Sequence, residues 1–244
     1  DDCPFYAARR RQYAAQVLVA NHALFFAHLA ADGMVLPPFE AVVLDEAHNL
    51  EDIAADYLGL SVASTQVNHL LDQIHHPRTG KGVLAMVPVA VPLRSALDSV
   101  LDECREAAEL FFESVAEVVG SQPATVRLRQ PDLVEHLLEE PLARLTVHLR
   151  ELSEATRDEV ARFEIDSYTS RCELVNTGLR DLIGQTRANT VYWAQLQRSE
   201  GGRRQRRAPR VTLASAPIDL SDALRSQLFE RYAPIVMTSA TLTV

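Results

Sequence analysis

Cysteine is scarce in this sequence: three in 244 residues, Cys3, Cys104 and Cys172. No two of them form a CxxC pair, which removes the common zinc and redox signatures. An odd and sparse set also argues against a disulfide scaffold and fits a reducing compartment, so a cytoplasmic setting is expected. No run of eighteen apolar residues occurs, and no membrane span is expected. Basic charge is in deficit, with 24 Lys and Arg against 33 Asp and Glu and a formal net charge of -9. Bulk attraction to nucleic acid is therefore not the expectation, and any DNA contact needs a local basic surface. Only 23% of residues are charged while 47% are hydrophobic, which argues against wholesale disorder and allows one or two packed domains. The chain starts "DDCPFYAARRR", without an initiator Met or a signal-peptide pattern, and stops inside the apolar run "APIVMTSATLTV". Both ends look cut, and a piece of a longer polypeptide is expected.

What is present falls into three stretches. In the first, "FYAARRRQYAAQ" is rich in helix formers, Val17 to Val19 reads as a short β-type run, and Ala23 to Ala30 reads as helix. Two prolines in "DGMVLPPF" mark a loop. Ala41 to Leu44 is an unbroken apolar run, which predicts a central parallel strand covered by helices on both faces.

The middle stretch is mostly helical. "SVASTQVNHLLDQI" reads as a helix that Ser61 could cap. "HHPRTGKG" breaks it. Leu97, Leu101, Cys104, Ala108, Phe111 and Val115 recur at spacings of three and four and predict a long helix over 93–118. Its other face is acidic, from Asp98 to Glu117. "GSQPATVRLRQP" reads as a linker with room for a short extended piece. Helix is predicted again over 133–163 and over 170–183. The last stretch returns to β character in "NTVYWAQLQ", "VTLASAPI" and "APIVMTSATL". A helix between them is capped by Asp219 or Ser221. No internal repeat is evident. The order is α/β, helical insertion, α/β.

The chemistry concentrates at "VVLDEAHN". Asp45 and Glu46 would leave the carboxyl end of a buried strand, where α/β folds gather ligands. An aspartate there can hold Mg²⁺, and a neighbouring glutamate can orient and deprotonate a water attacking a γ-phosphate. Adjacent residues on an extended chain diverge, so the two acids can aim differently. His48 could link this point to another element by a hydrogen bond. Acidic residues also begin helices without any catalytic role. The second strand end, "MTSAT", places Thr238, Ser239 and Thr241 in a similar position, able to sense a γ-phosphate site, or merely to punctuate a strand.

Four stretches together carry a family resemblance: "VVLDEAHNLED", "APIVMTSATLT", "CPFYAARRRQYAAQVLVANHALFF" and "VYWAQ". The sequence resembles the iron-sulphur helicases of superfamily 2, the DinG and XPD family, and looks closer to the bacterial DinG-like members. The resemblance covers essentially the whole chain. It implies an α/β fold, a partial P-loop NTPase (RecA-like) motor domain with a large, mostly α-helical arch insertion. Residues 1–61 would hold the end of the iron-sulphur region and the DEAH box, 62–186 the arch, and 187–244 the return to motor domain 1 with motif III. It implies an ATP hydrolase that moves 5′ to 3′ on single-stranded or forked DNA, with ATP, Mg²⁺ and a [4Fe-4S] cluster in the parent protein, and a DNA-repair role with a repair-protein partner. By position, Asp45 and Glu46 match the magnesium and hydrolysis acids, and Ser239, Ala240 and Thr241 match the coupling motif. Cys3 matches the last of four cluster cysteines.

Departures from the family pattern are plain. A GxxxxGK[ST] phosphate loop is absent, and "RTGKG" at 78–82 lacks its spacing and lies in the insertion. Three of the four cluster cysteines are absent, as is the second motor domain with its arginine fingers. The segment alone is expected neither to hydrolyse ATP efficiently nor to hold a cluster. Candidate DNA contacts are Arg9, Arg10 and Arg11 beside Cys3, and the glycine-flanked Arg203, Arg204, Arg206 and Arg207. Phe5, Tyr6, Tyr13 and Trp193 are candidate stacking surfaces. Asn21 and His22 could position backbone or DNA. The competing assignment is a non-enzymatic nucleic-acid-binding or protein-interaction module centred on the helical arch.

Overall fold

A computed structural model describes residues 11–30, 33–120, 124–197 and 210–240. The described residues form a mixed α/β fold with a large helical insertion and two small sheets. The chain divides into two compact units, Asp1–Leu60 with Ala216–Val244, and Ser61–Ser215. Residues 187–215, grouped from the sequence with the return to the motor domain, pack in the second unit.

In the first unit, helix α1 spans His22–Ala30. Asn21 starts it, its Oδ1 accepting a 2.8 Å hydrogen bond from the backbone N–H of Leu24, which satisfies one of the orphan donors of a helix start. Asn21 therefore has a structural task. The β-type run before it is not a strand. Val17 and Val19 are almost fully exposed, and β propensity alone does not make a strand without a partner to pair with. Strand β1 is Val42–Leu44. A 3₁₀ turn at Ala47–Asn49 leads into helix α2, Leu50–Leu58.

The second unit opens on β2, Leu60–Ala63, and helix α3, Ser64–Ile74. Ser61 lies inside β2 and does not cap α3. The residue before α3 is Ala63, which makes no side-chain cap. Helix α4 runs Val91–Val119 and buries Leu97, Val100, Leu101, Cys104, Ala108, Phe111, Phe112 and Val115 along one stripe, as the period of its apolar residues predicts. The linker-like stretch contains β3, Ala124–Leu128.

Helices α5, Glu139–Ala155, and α6, Glu159–Gly184, form a helical hairpin. The predicted break between 163 and 170 is not there. The chain breaks instead at residues 156–158, where Thr156 is extended and Asp158 caps α6 by accepting from the N–H of Ala161 at 2.8 Å. The hairpin buries Leu142, Leu145, Leu149, Leu152, Ile165, Cys172, Leu179 and Leu182. Ser153 Oγ donates to Asp166 Oδ1 at 2.6 Å between its arms. Exposed pairs such as Arg180–Glu139 add little, because solvent screens them.

Strands β4, Thr190–Gln197, and β5, Arg210–Pro217, complete a four-stranded sheet in the order β2-β5-β4-β3. Tyr192, Ala194 and Leu196 of β4 are buried, and this strand contacts α4. After β5 the chain is in the first unit again. Asp219 Oδ1 accepts from the N–H of Ser221 at 2.8 Å. The helix predicted here is short: one α turn, α7 at Ser221–Leu224, then a π turn at Arg225–Phe229. Strand β6, Ile235–Met237, follows.

Strands β1 and β6 pair in parallel, Val42 with Ile235, Val43 with Val236 and Leu44 with Met237. Continuous burial of β1 was expected and is not observed. Val42 and Leu44 are buried, but Val43 is 69% exposed and Val236 50%. The described residues thus cover one face of this sheet only. Beneath that face lie Phe25, Phe26, Leu29, Leu50, Ala54, Leu220 and Leu228. Phe39 and Tyr232 stack at 4.7 Å between ring centroids beside them.

Leu145 is fully buried in the helical hairpin, whereas Val147, two residues on, is 58% exposed. Leu145→Ala should therefore cost about 2–5 kcal/mol in urea denaturation, and Val147→Ala less than about 0.5 kcal/mol.

Candidate active site

Asp45 and Glu46 directly follow the buried end of β1, and Thr238 and Ser239 directly follow β6. Because the strands are parallel and in register, the two carboxyl ends meet. The ladder continues past both strands: the N–H of Thr238 donates to Leu44 O at 2.8 Å, and the N–H of Ala47 donates to Thr238 O at 2.9 Å. These bonds clamp the DEAH turn to the TSA turn.

Side chains follow. Thr238 Oγ1 donates to Asp45 Oδ1 at 2.7 Å, and the N–H of Glu46 donates to the same oxygen at 2.9 Å. The Thr238 hydroxyl, and after it the Glu46 amide, holds the Asp45 carboxyl below the usual carboxylate range, with a smaller contribution from His22. Hydrogen bonds to the charged form act in this direction. His48 Nδ1 lies 2.8 Å from Ser239 Oγ and 3.3 Å from Glu46 Oε2, so one ring nitrogen faces both the carboxylate of its own turn and the hydroxyl of the other.

Glu46 is in the left-handed backbone region, φ 49° and ψ 46°. A non-glycine residue rarely sits there, and such outliers cluster at functional sites. Both acids are exposed.

The donor set suits a hard divalent cation. One oxygen of Asp45 is occupied by two donors, while no hydrogen bond reaches Oδ2 among the described residues. Mg²⁺ takes one or two protein carboxylates and fills the remaining positions with water and substrate phosphates. No group of three His, Cys, Asp or Glu side chains is arranged as a metal cage among the described residues, and a magnesium site of this kind needs none. A [4Fe-4S] cluster does not fit the residues present, since three cysteines cannot supply four thiolates. Cys104 and Cys172 are buried in α4 and α6, and burial pushes both thiols up to about 12, away from the thiolate form that a metal requires.

Several sequence candidates lie outside the described residues: Cys3, Arg9, Arg10, Arg203, Arg204, Arg206, Arg207 and Thr241, with Phe5 and Tyr6. Arg11 and Tyr13 are described and exposed, in the first unit with Asp45. Trp193 is in the second unit, on β4. "RTGKG" forms a loop after α3 in that unit, with Gly80 and Gly82 at positive φ, rather than the strand-to-helix turn of a phosphate loop. Thr238's bond to Asp45 was not evident from the sequence, because it depends on the register of β1 against β6. No helix among the described residues is long and apolar enough to cross a membrane.

Comparison with known proteins bears on this geometry. The DEAD_2 family model matches residues 1–67, the stretch that includes Asp45, Glu46 and His48. The chain is 28% identical over 260 residues to the ATP-dependent DNA helicase DinG of Escherichia coli (strain K12), covering 99% of this chain and 36% of that protein. It is 27% identical over 259 residues to DinG of Salmonella choleraesuis, with the same coverage. It is 26% identical over 257 residues to the ATP-dependent DNA helicase YoaA of Haemophilus influenzae, covering 100% of this chain and 36% of that protein. The chain is homologous to bacterial helicases of the DinG and YoaA type. It spans about a third of the length of these curated relatives.

Replacing Thr238 by Val removes the hydroxyl that donates to Asp45. The Asp45 carboxyl should then titrate higher, nearer the usual carboxylate range, in a carbon-13 NMR titration. An unmoved titration would mean that the hydroxyl does not hold this carboxylate.

Proposed function

We propose that this chain is part of the first motor domain of an ATP-dependent DNA helicase, with a helical arch inserted in it. Residues 1–60 and 216–244 are the proposed motor portion and residues 61–215 the proposed arch, wider than the 62–186 read from the sequence. The whole protein couples Mg-ATP hydrolysis to 5′–3′ movement on single-stranded DNA. One observation carries the proposal: parallel pairing of β1 with β6 brings Asp45 against Thr238 and His48, next to Glu46, against Ser239. The relatives' description as ATP-dependent DNA helicases supports it.

In this scheme Asp45 would hold Mg²⁺, which would supply neutralisation of nucleotide phosphate charge. Glu46 orients the attacking water and accepts its proton. His48 and Ser239 relay the state of that site from the DEAH turn to the strand end at β6, with Thr241 beyond it. The phosphate loop, the other cluster cysteines beside Cys3 and the arginine fingers belong to the remainder of the polypeptide. Arg9, Arg10, Arg11, Arg203 and Arg204 are the proposed phosphate contacts to DNA.

Glu46→Gln in the full-length polypeptide tests the assignment. DNA-stimulated ATP hydrolysis should fall at least about 100-fold, while single-stranded DNA binding is kept. Undiminished turnover would overturn the helicase assignment and favour a non-enzymatic binding module.

A further inference from the structure

The four-stranded sheet of the second unit has an outward surface that neither the fold nor the carboxylate site uses. In β4, Tyr192, Ala194 and Leu196 are buried, and Val191, Trp193 and Gln195 alternate with them and are part-exposed. In the edge strand β3, Thr125 and Arg127 are exposed, and Arg129 continues the same parity one residue beyond the strand. The antiparallel register sets Arg127 directly opposite Trp193, and Thr125 opposite Gln195. Directly opposed residues share a face, with Cβ atoms about 5 Å apart. An arginine, an indole, a threonine and a glutamine therefore stand together on one surface.

Its charge is unusual for this chain. The protein carries a formal net charge of -9, yet none of the four strands contains an Asp or Glu. Among the described residues no carboxylate pairs with Arg127 or Arg129, a state they share with other surface arginines such as Arg157 and Arg162. Arg127 and Arg129 also line a polar depression of about 410 Å³ with Leu128, Gln185, Thr190 and Tyr192, at the end of β3 and β4 and open to both faces of the pair. Two arginines without counter-ions beside a polar hollow are suited to anionic oxygens.

We propose that this face, Thr125, Arg127, Arg129, Trp193 and Gln195, is a binding platform for single-stranded DNA. One base stacks on the open side of Trp193, as bases do on exposed aromatics in strand-binding proteins. Arg127 and Arg129 take phosphates on either side. Alternate residues on a strand lie about 7 Å apart, a step comparable with that between successive phosphates of an extended single strand. Thr125 and Gln195 offer hydrogen bonds that tolerate any sequence. Charge complementarity favours an anionic strand, because these five residues include two arginines and no acid in an acidic protein. The proposal takes single-stranded DNA as partner from the helicase reading, but its site is separate from Asp45 and Glu46.

Trp193 is the sole tryptophan of the chain, so its fluorescence reports on the platform directly. The 244-residue chain, without nucleotide, is titrated with a short oligothymidine. Saturable quenching of Trp193 is expected. Arg127→Gln and Arg129→Gln should each weaken binding several-fold and each lower the slope of log K against log salt by about 0.7. Trp193→Ala should bind a fluorescein-labelled oligothymidine about tenfold more weakly, and Trp193→Phe should recover most of that loss. Circular dichroism confirms folding of each variant, and the two arginine variants alter only exposed side chains. Absent quenching, or arginine variants that bind as tightly as the parent, would overturn the proposal. Equal quenching by polyglutamate would overturn it in favour of an acidic protein partner, and equal competition by duplex DNA would remove the stacking role. Since no ATP is present, failure here leaves the Glu46→Gln result standing, and the reverse also holds.

Discussion

The rest of the structure depends on one pairing: three residues of β1 against three of β6, separated by 193 positions at Val42 and Ile235. A flexible loop of that length is costly to close, although the cost grows only by about 0.6 kcal/mol for each doubling. The small ladder does not meet that cost alone. It rests on a buried cluster in which Val42 and Leu44 from one side of the insertion pack with Leu220 and Leu228 from the other. Register then decides the chemistry. Parallel alignment in this frame brings the Thr238 hydroxyl to Asp45 and Ser239 to His48. A slip by one residue would turn each side chain to the opposite face and undo both contacts.

A buried histidine braces that cluster. His28, in the last turn of α1, is 3% exposed. Its Nδ1 accepts from the N–H of Leu36 at 2.9 Å, and its Nε2 lies 3.2 Å from the Tyr232 hydroxyl. The ring thereby joins α1, the loop before β1 and the segment before β6. Burial, and then the charge of Arg231, push its pKa down. The neutral form is the one that can accept from Leu36, so the environment and the hydrogen bond favour the same protonation state. Nothing in "HALFFAHLA" marks His28 as different from a surface histidine. Its partners are distant in the chain, and only the fold supplies them.

What could be read from the letters, and what could not, divides on the same line between local and distant information. Helix α4 was evident because its apolar period is local and long enough to leave no choice. The break between α5 and α6 was misplaced because "SEATRDE" carries no Gly or Pro to mark it, and the restart rests on a single capping side chain, Asp158. Strand β3 was visible only as a possible extended piece, since a strand of alternating exposure is defined by its neighbour. Val17 to Val19 shows the converse, a β-type run without a partner that stays irregular. At the candidate site the acids themselves were conspicuous in "LDEAHN", but the left-handed backbone at Glu46 and the hydrogen bond from Thr238 needed coordinates. The facing of Arg127 and Trp193 is likewise a matter of register.

The sheet order β2-β5-β4-β3 makes the strand that begins the second unit a hydrogen-bonded neighbour of the strand that ends it. A chain that leaves and comes back through adjacent strands has closed its own loop. To the first unit, 155 residues of folded insertion (61 to 215) then behave topologically like a short turn between α2 and α7. That is the condition under which one folded body can be spliced into another without severing either core. It follows that the insertion can lengthen, shrink or be exchanged over evolutionary time while the β1–β6 pairing, and the carboxylates it aligns, stay as they are.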